Sequence, residues 1–109
     1  MTTKTVDTDQ RRIVERIDTG RPEIKLQVVT WHNRERKTIE TRVGRIEITE
    51  AGYREKMDIG RKDPAPVEFG RTAVPRYNIK HLATAHSRAM SAVASVECIG
   101  RLISWAERA

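Results

Sequence analysis

The chain has 109 residues, a net charge of +6 from 21 Lys+Arg against 15 Asp+Glu, and only 38% hydrophobic residues. These values bound it to one small domain with a thin core, which self-association would help to stabilise. A single cysteine, Cys98, excludes an intrachain disulfide, a four-cysteine zinc site and a CxxC redox motif.

The N-terminal part is predicted to hold a tail and a short helix. Residues 1–8 are polar, and we expect a flexible tail there before a single domain that spans residues 9–109. In residues 9–20 Asp9 suits a helix N-cap and Gly20 suits a helix end. The apolar side of this helix would hold Ile13, Val14 and Ile17. Such a short helix is marginal alone, so that side must dock on the domain.

A β-hairpin is predicted next. Residues 23–32 alternate apolar and polar side chains, which is typical of a half-buried strand. One face of this strand would carry Ile24, Leu26 and Val28. The charged run HNRERK, residues 32–37, predicts an exposed hairpin tip.

The apolar residues after the tip change parity at Gly44. They lie at odd positions up to Val43 and at even positions from Ile46, so one unbroken strand would place them on opposite faces. A type II′ turn with Gly44 and Arg45 at its centre resolves the conflict, because glycine accepts a positive φ there. A β-bulge at Gly44 is the alternative.

The next segment fits either a helix or a strand over residues 53–59. Tyr53, Met57 and Ile59 lie at odd positions, which favours a fourth strand, and Gly52 would complete a turn from Thr49.

The last part of the chain combines a linker and a helix. Residues 61–77 hold three of the four prolines and predict a crossing linker, pinned to the core by Val67, Phe69 and Val74. From Asn78, a suitable N-cap, a 3.6-residue period predicts one long helix over residues 78–108. The whole pattern predicts an α+β fold: a short N-terminal helix, a four-stranded antiparallel meander sheet, and a long C-terminal helix packed on one sheet face.

Residues that could carry chemistry are few. His81 and His86 are five apart, so on a helix they point about 140° apart and cannot form a metal pair alone. Cys98 has a mid-helix position, without free amides to lower its pKa. Phosphate-binding, nucleophile-elbow and metalloprotease motifs are all missing from the sequence. We therefore expect no enzyme, no cofactor and no metal.

The chain also shows no signal peptide and no span apolar enough for a bilayer, because charged residues interrupt its longest apolar stretch. We expect a protein of the cytoplasm, or of a host cytoplasm if the source is viral. Size and composition would also suit an accessory protein of a virus or plasmid, including a particle component.

Two hypotheses of function remain. The first is a non-catalytic protein that acts by protein–protein contact, as an inhibitor, adaptor or assembly component. Its partner surface would be the basic tip region, Trp31, His32, Asn33, Arg34, Arg36 and Lys37, because Trp and Arg dominate such interfaces. It would form a homodimer or higher homo-oligomer through a row of small helix residues, Ala85, Ala89, Ala92, Val96 and Gly100, although the same row could pack on the sheet. The alternative is a nucleic-acid-binding regulator that uses the basic hairpin or a sheet face.

Overall fold

The computed structural model describes residues 4–21, 23–49, 52–57 and 72–108. The elements in chain order are β1 (Lys4–Asp7), β2 (Arg12–Ile17), β3 (Leu26–Asn33), β4 (Thr38–Thr49), β5 (Gly52–Met57), β6 (Thr72–Ala73), α1 (Ile79–Val93) and α2 (Val96–Arg108). Within these residues, no helix has the length and apolar character needed to cross a membrane.

An antiparallel sheet forms the base of the fold. Strands β1 to β5 pair in sequence order, and the short β6 pairs with the start of β4. Side chains alternate between the two faces of each strand. The helices cover one of these faces, so the predicted α+β architecture with C-terminal helical cover is confirmed.

The core lies between the sheet and the helices, in two clusters. The larger cluster contains Ile17, Leu26, Val28, Val43, Ala89, Val93, Leu102 and Trp105. The smaller cluster, near the hairpin tip, contains Ile13, Ile39, Val74 and Leu82, with Tyr77 and Ala85 packed against it. Burying each Leu-sized side chain contributes about 1.5–3 kcal/mol, so this helix-facing side of the sheet holds the fold together.

The predicted N-terminal helix is wrong, and the segment forms a strand. Residues Lys4–Asp7, expected in the tail, form β1, and β2 pairs with β1 on one edge and with β3 on the other. The turn between β1 and β2 is closed by a hydrogen bond from the Gln10 N–H to Asp7 Oδ1 (3.0 Å). A short isolated helix is marginal, whereas a strand in this place gains hydrogen bonds along both edges.

The predicted turn at Gly44 and Arg45 is also wrong, because β4 continues without interruption from Thr38 to Thr49. Gly44 pairs with Gln27 of β3 on one edge and with Met57 of β5 on the other. The parity change therefore lies within one continuous strand. The part of β4 before Gly44 pairs with β3 in the region of the sheet that the helices cover. The part after Gly44 pairs with β5.

Three further predictions fall on the hairpin and the linker. Thr49 pairs with Gly52, and β5 follows, so the strand interpretation of residues 53–59 is confirmed for residues 53–57. Val74 is buried, as predicted, and its N–H donates to the Lys37 carbonyl (2.8 Å). Val67, Phe69 and most of the predicted linker lie outside the described residues.

The predicted single long helix is divided at Ala94 and Ser95. Asn78 is the N-cap of α1 as predicted, and its side chain accepts from the Lys80 N–H (2.9 Å). At the division, Ser95 Oγ accepts from the Cys98 N–H (3.1 Å) and so caps α2. The division allows both helices to bury residues against the same sheet face, among them Val93 and Trp105.

Candidate functional site

The hairpin tip between β3 and β4 is exposed and basic. Arg34, Glu35, Arg36 and Lys37 form the four-residue loop between β3 and β4, and all four are exposed, as predicted. We call this loop the basic loop. Asn33 fixes its base, since Asn33 Oδ1 accepts from the Arg36 N–H (3.1 Å) and Asn33 Nδ2 donates to a Glu40 carboxylate oxygen (2.8 Å).

The basic loop is held from neighbouring segments as well. Arg34 Nη2 donates to the Asp9 carbonyl in the β1–β2 turn (2.9 Å). Lys37 has a φ of 54°, in the left-handed region, and its carbonyl accepts from Val74 beside β6. These contacts join the loop to three segments of the chain, so its cationic side chains project from a fixed base.

The aromatic residues at the base of the loop lie on opposite faces of the sheet. The His32 ring stacks on Tyr77 on the helix side, with ring centroids 4.6 Å apart, and the Arg11 guanidinium lies 4.3 Å from the centre of the Tyr77 ring. Trp31 is on the other face, where the Arg42 guanidinium lies 5.7 Å from its ring centre. The six predicted partner residues therefore do not form one surface.

His32 belongs to this packed base rather than to the loop. Arg11 Nη1 donates to His32 Nδ1 (3.1 Å). Burial, and then the positive charges of Arg11 and Arg34, lower the pKa of His32 from its usual value. The ring is thereby favoured in its neutral form, which accepts this hydrogen bond.

A buried polar chain links α1 to three strands. His86 is 1% exposed, its Nδ1 lies 2.9 Å from Thr30 Oγ1, and its Nε2 lies 2.9 Å from Glu15 Oε1. Thr30 Oγ1 is also 3.2 Å from Thr41 Oγ1. An ionised Glu15 can only accept, so His86 Nε2–H donates to it, Thr30 donates to Nδ1, and Thr41 donates to Thr30.

Glu15, His86 and Thr30 have the residue types of a catalytic triad, but the Thr30 hydroxyl is not accessible to a substrate. Thr30 is fully buried, and its hydroxyl forms hydrogen bonds with both His86 and Thr41. Burial lowers the pKa of His86, and Lys4 lowers it further, against the raising influence of Glu15. The arrangement therefore suits a structural link between layers, because no substrate atom can reach the hydroxyl.

The remaining candidates for chemistry lie apart. His81 is exposed on α1, whereas Cys98 is half-buried against the larger core cluster, where burial raises the pKa of its thiol. The described residues contain no group of three His, Cys, Asp or Glu side chains that could hold a metal.

The predicted self-association row does not form one surface. Ala89 is buried and Ala85 packs against the smaller cluster, so both face the sheet. Ala92, Val96 and Gly100 are exposed, and Val96 is 88% exposed. A Cβ atom added to Gly100 would meet nothing within 4 Å, so the close backbone approach expected there is not made within the described chain. Self-association stays a prediction, with only these last three residues available for it.

Sequence reasoning missed the polar chain and the packed base. Glu15 was assigned to a helix, although it lies between Ile13 and Ile17 at the two-residue period of a strand face. That alternation was the signal for a carboxylate on a buried face. The partners of Tyr77 left no comparable signal, because Arg11 and His32 are distant in sequence. No family model, no curated protein and no solved structure matches this chain.

Proposed function

We propose that this chain is a non-catalytic binding protein that contacts another protein through the basic loop, as an inhibitor, adaptor or assembly component. The observation that carries the proposal is the fixed base of the loop. Arg34, Arg36 and Lys37 are exposed side chains on a backbone held by Asn33 and by the Val74 N–H. A preorganised loop loses little entropy on binding, which is the property of an interface element.

The aromatic residues support a protein partner over a single-stranded nucleic acid. Proteins that bind single strands stack successive bases on open aromatic faces. Here Tyr77 has His32 on its ring and Arg11 over it, and Trp31 has Arg42 over its ring. The basic loop also contains Glu35, whose charge opposes a phosphate backbone and suits a partner with charges of both signs.

Nucleic acid is the second candidate, and one observation favours it. Residues 72–93 contain no Asp or Glu, and Arg76, Lys80 and Arg88 are all exposed there. A phosphate backbone binds best to a surface whose charges are all positive.

Site-specific photo-crosslinking separates the two candidates. A photoreactive amino acid replaces Arg36 in one variant and Glu23, which is exposed before β3, in a matched control. Both variants are expressed in the source organism and irradiated. We expect a discrete protein adduct from position 36 and none from position 23. Equal protein adducts from both positions, or an adduct from position 36 that nuclease removes, would contradict the proposal.

A further inference from the structure

A groove lies beside the basic loop, between β6 and the flank of α1 that carries His81, Ala85 and Arg88. Its volume is about 550 Å³. Its floor is formed mainly by apolar side chains, those of Ile39, Ala73, Val74, Pro75 and Ala85. It adjoins the loop because the Lys37 carbonyl accepts a hydrogen bond from the Val74 N–H.

The charged side chains that line this groove have one sign. They belong to Arg76 and Arg88, which line the groove together with His81; all three residues are exposed, and no carboxylate is among the described lining residues. In the part of the chain that the structure describes, no side-chain hydrogen bond or ion pair engages Arg76 or Arg88. An apolar floor with unpaired guanidinium groups is complementary to an apolar group flanked by anions.

The groove continues along the helix. A shallower and more open depression shares Thr84 and Arg88 with the first, and its described lining residues, which extend to Ser91, all lie on the exposed side of α1. An elongated groove along a helix suits an extended chain better than a compact small molecule, whose pockets enclose most of its surface. Among the described residues, no aromatic side chain lines either depression, so these residues provide no platform on which a base could stack.

We propose that this groove binds an acidic peptide segment of a protein partner, with one apolar side chain on the floor and carboxylates at Arg76 and Arg88. Arginine clusters recognise acidic motifs in this way, and a buried apolar anchor supplies the central contact. The inference rests on the proposed function, because it supplies the chemistry of the protein that would also contact the basic loop.

The test uses nuclear magnetic resonance titration of the full chain with two blocked peptides, Asp-Glu-Leu-Asp-Glu and Asp-Glu-Gly-Asp-Glu. We expect the leucine peptide to shift the signals of Val74, Thr84 and Ala85, and the glycine peptide to bind at least about threefold more weakly, since it lacks the apolar anchor. Equal binding of the two peptides, or no shifts at these residues at millimolar peptide, would overturn the proposal.

Charge reversal with a matched control tests the cationic part of the groove. The double variant Arg76→Glu and Arg88→Glu should bind the leucine peptide about tenfold more weakly than the wild type does. Arg21→Glu with Arg101→Glu changes the net charge equally at exposed positions after β2 and on α2, and should weaken peptide binding by less than about threefold. Equal weakening by both pairs would show general attraction instead of a site. Unchanged dispersion of the backbone signals establishes that each variant is folded.

Two other occupants are distinguished in the same titration. Stronger shifts of the groove signals by a ten-nucleotide oligothymidine than by the leucine peptide would overturn the proposal in favour of nucleic acid. Peptide binding that appears only after Phe69→Ala would assign the groove to this chain's own apolar and acidic sequence VEF, residues 67–69. A protein adduct from position 36 together with a groove that binds no peptide would refute this inference alone and leave the proposed function standing.

Discussion

Replacing His86 with leucine tests the buried polar chain most sharply. Leucine has nearly the volume of histidine, so the substitution removes two hydrogen bonds without opening a large cavity. The imidazole is 1% exposed and joins Glu15 to Thr30 across the layers of the fold. After the change the Glu15 carboxylate, whose side chain is 17% exposed, has lost its histidine donor.

The expected loss follows from these two contacts. A hydrogen bond to a charged group contributes more than a neutral one, and a buried partner left unsatisfied adds its desolvation cost. Thr30 keeps its contact with Thr41, which limits the loss on that side. The free energy of unfolding should therefore fall by about 2–4 kcal/mol, a large part of the total for a domain of this size.

Urea denaturation followed by circular dichroism at pH 7.5 measures this loss. His81→Leu is the matched control, because His81 is exposed on the same helix, and it should change stability by less than about 0.5 kcal/mol. Combining His86→Leu with Glu15→Met should cost less than the sum of the two single changes, since both remove the same contact. A loss below about 0.5 kcal/mol for His86→Leu would refute the structural role of the chain.

Three further outcomes are expected. Acidification should destabilise the fold, because burial holds the pKa of His86 in the fold below its usual 6.5 and the unfolded chain therefore takes up the proton first. Urea midpoints should fall as the pH drops from 7 through 6.5 towards the pKa in the fold, less steeply in His86→Leu; an equal slope in both proteins would contradict this. Ser95→Ala should cost about 0.5–2 kcal/mol in the same assay by removing the cap of α2, whereas an effect no larger than that of the exposed Ser91→Ala would show that Ser95 is not a cap. If Ala92, Val96 and Gly100 mediate self-association, Val96→Arg should reduce the mass measured by light scattering to that of a monomer without loss of helix; a wild-type chain that is monomeric at high concentration would end that hypothesis.

Local pattern was sufficient for much of the fold. The alternation in residues 23–32 predicted a strand, which is found at Leu26–Asn33, although both of its faces are buried over Leu26–Thr30 and not one alone. The charged tip is exposed at residues 34–37, and Asn78 is the N-cap of α1. The two-residue spacing also identified the strand that begins at Gly52.

The wrong secondary-structure predictions fall on segments whose structure depends on pairing with strands that are distant in sequence. The apolar residues of 12–17 are the β-branched Ile13, Val14 and Ile17, which suit a strand, and pairing with β1 and β3 on either side makes this segment one. The parity change at Gly44 was read as a turn because a single sequence does not show that β4 serves two partners, β3 before Gly44 and β5 after it. The division at Ser95 was hidden for a similar reason, since the apolar period continues through it.

The candidate site was less accessible to prediction than the fold. The basic loop consists of consecutive residues, so the sequence alone could predict which residues form it. Arg34, Arg36 and Lys37 are exposed on this loop. Trp31 and His32 were grouped with them because they are adjacent in sequence, although neighbouring residues of a strand point to opposite faces. The groove combines β6 with α1, and no spacing in the sequence shows that these segments meet.

The basic loop is proposed to contact a protein surface and not phosphates, and the salt dependence of nucleic-acid binding separates these two roles. Fluorescence anisotropy with a generic DNA duplex is measured over a range of salt for the wild type and for a variant with Arg34, Arg36 and Lys37 replaced by Ser. We predict weak binding that the triple replacement hardly changes. Submicromolar binding that falls steeply with salt, with a log–log slope flattened by about three units in the variant, would contradict the account, because each phosphate contact contributes about −0.9 to that slope.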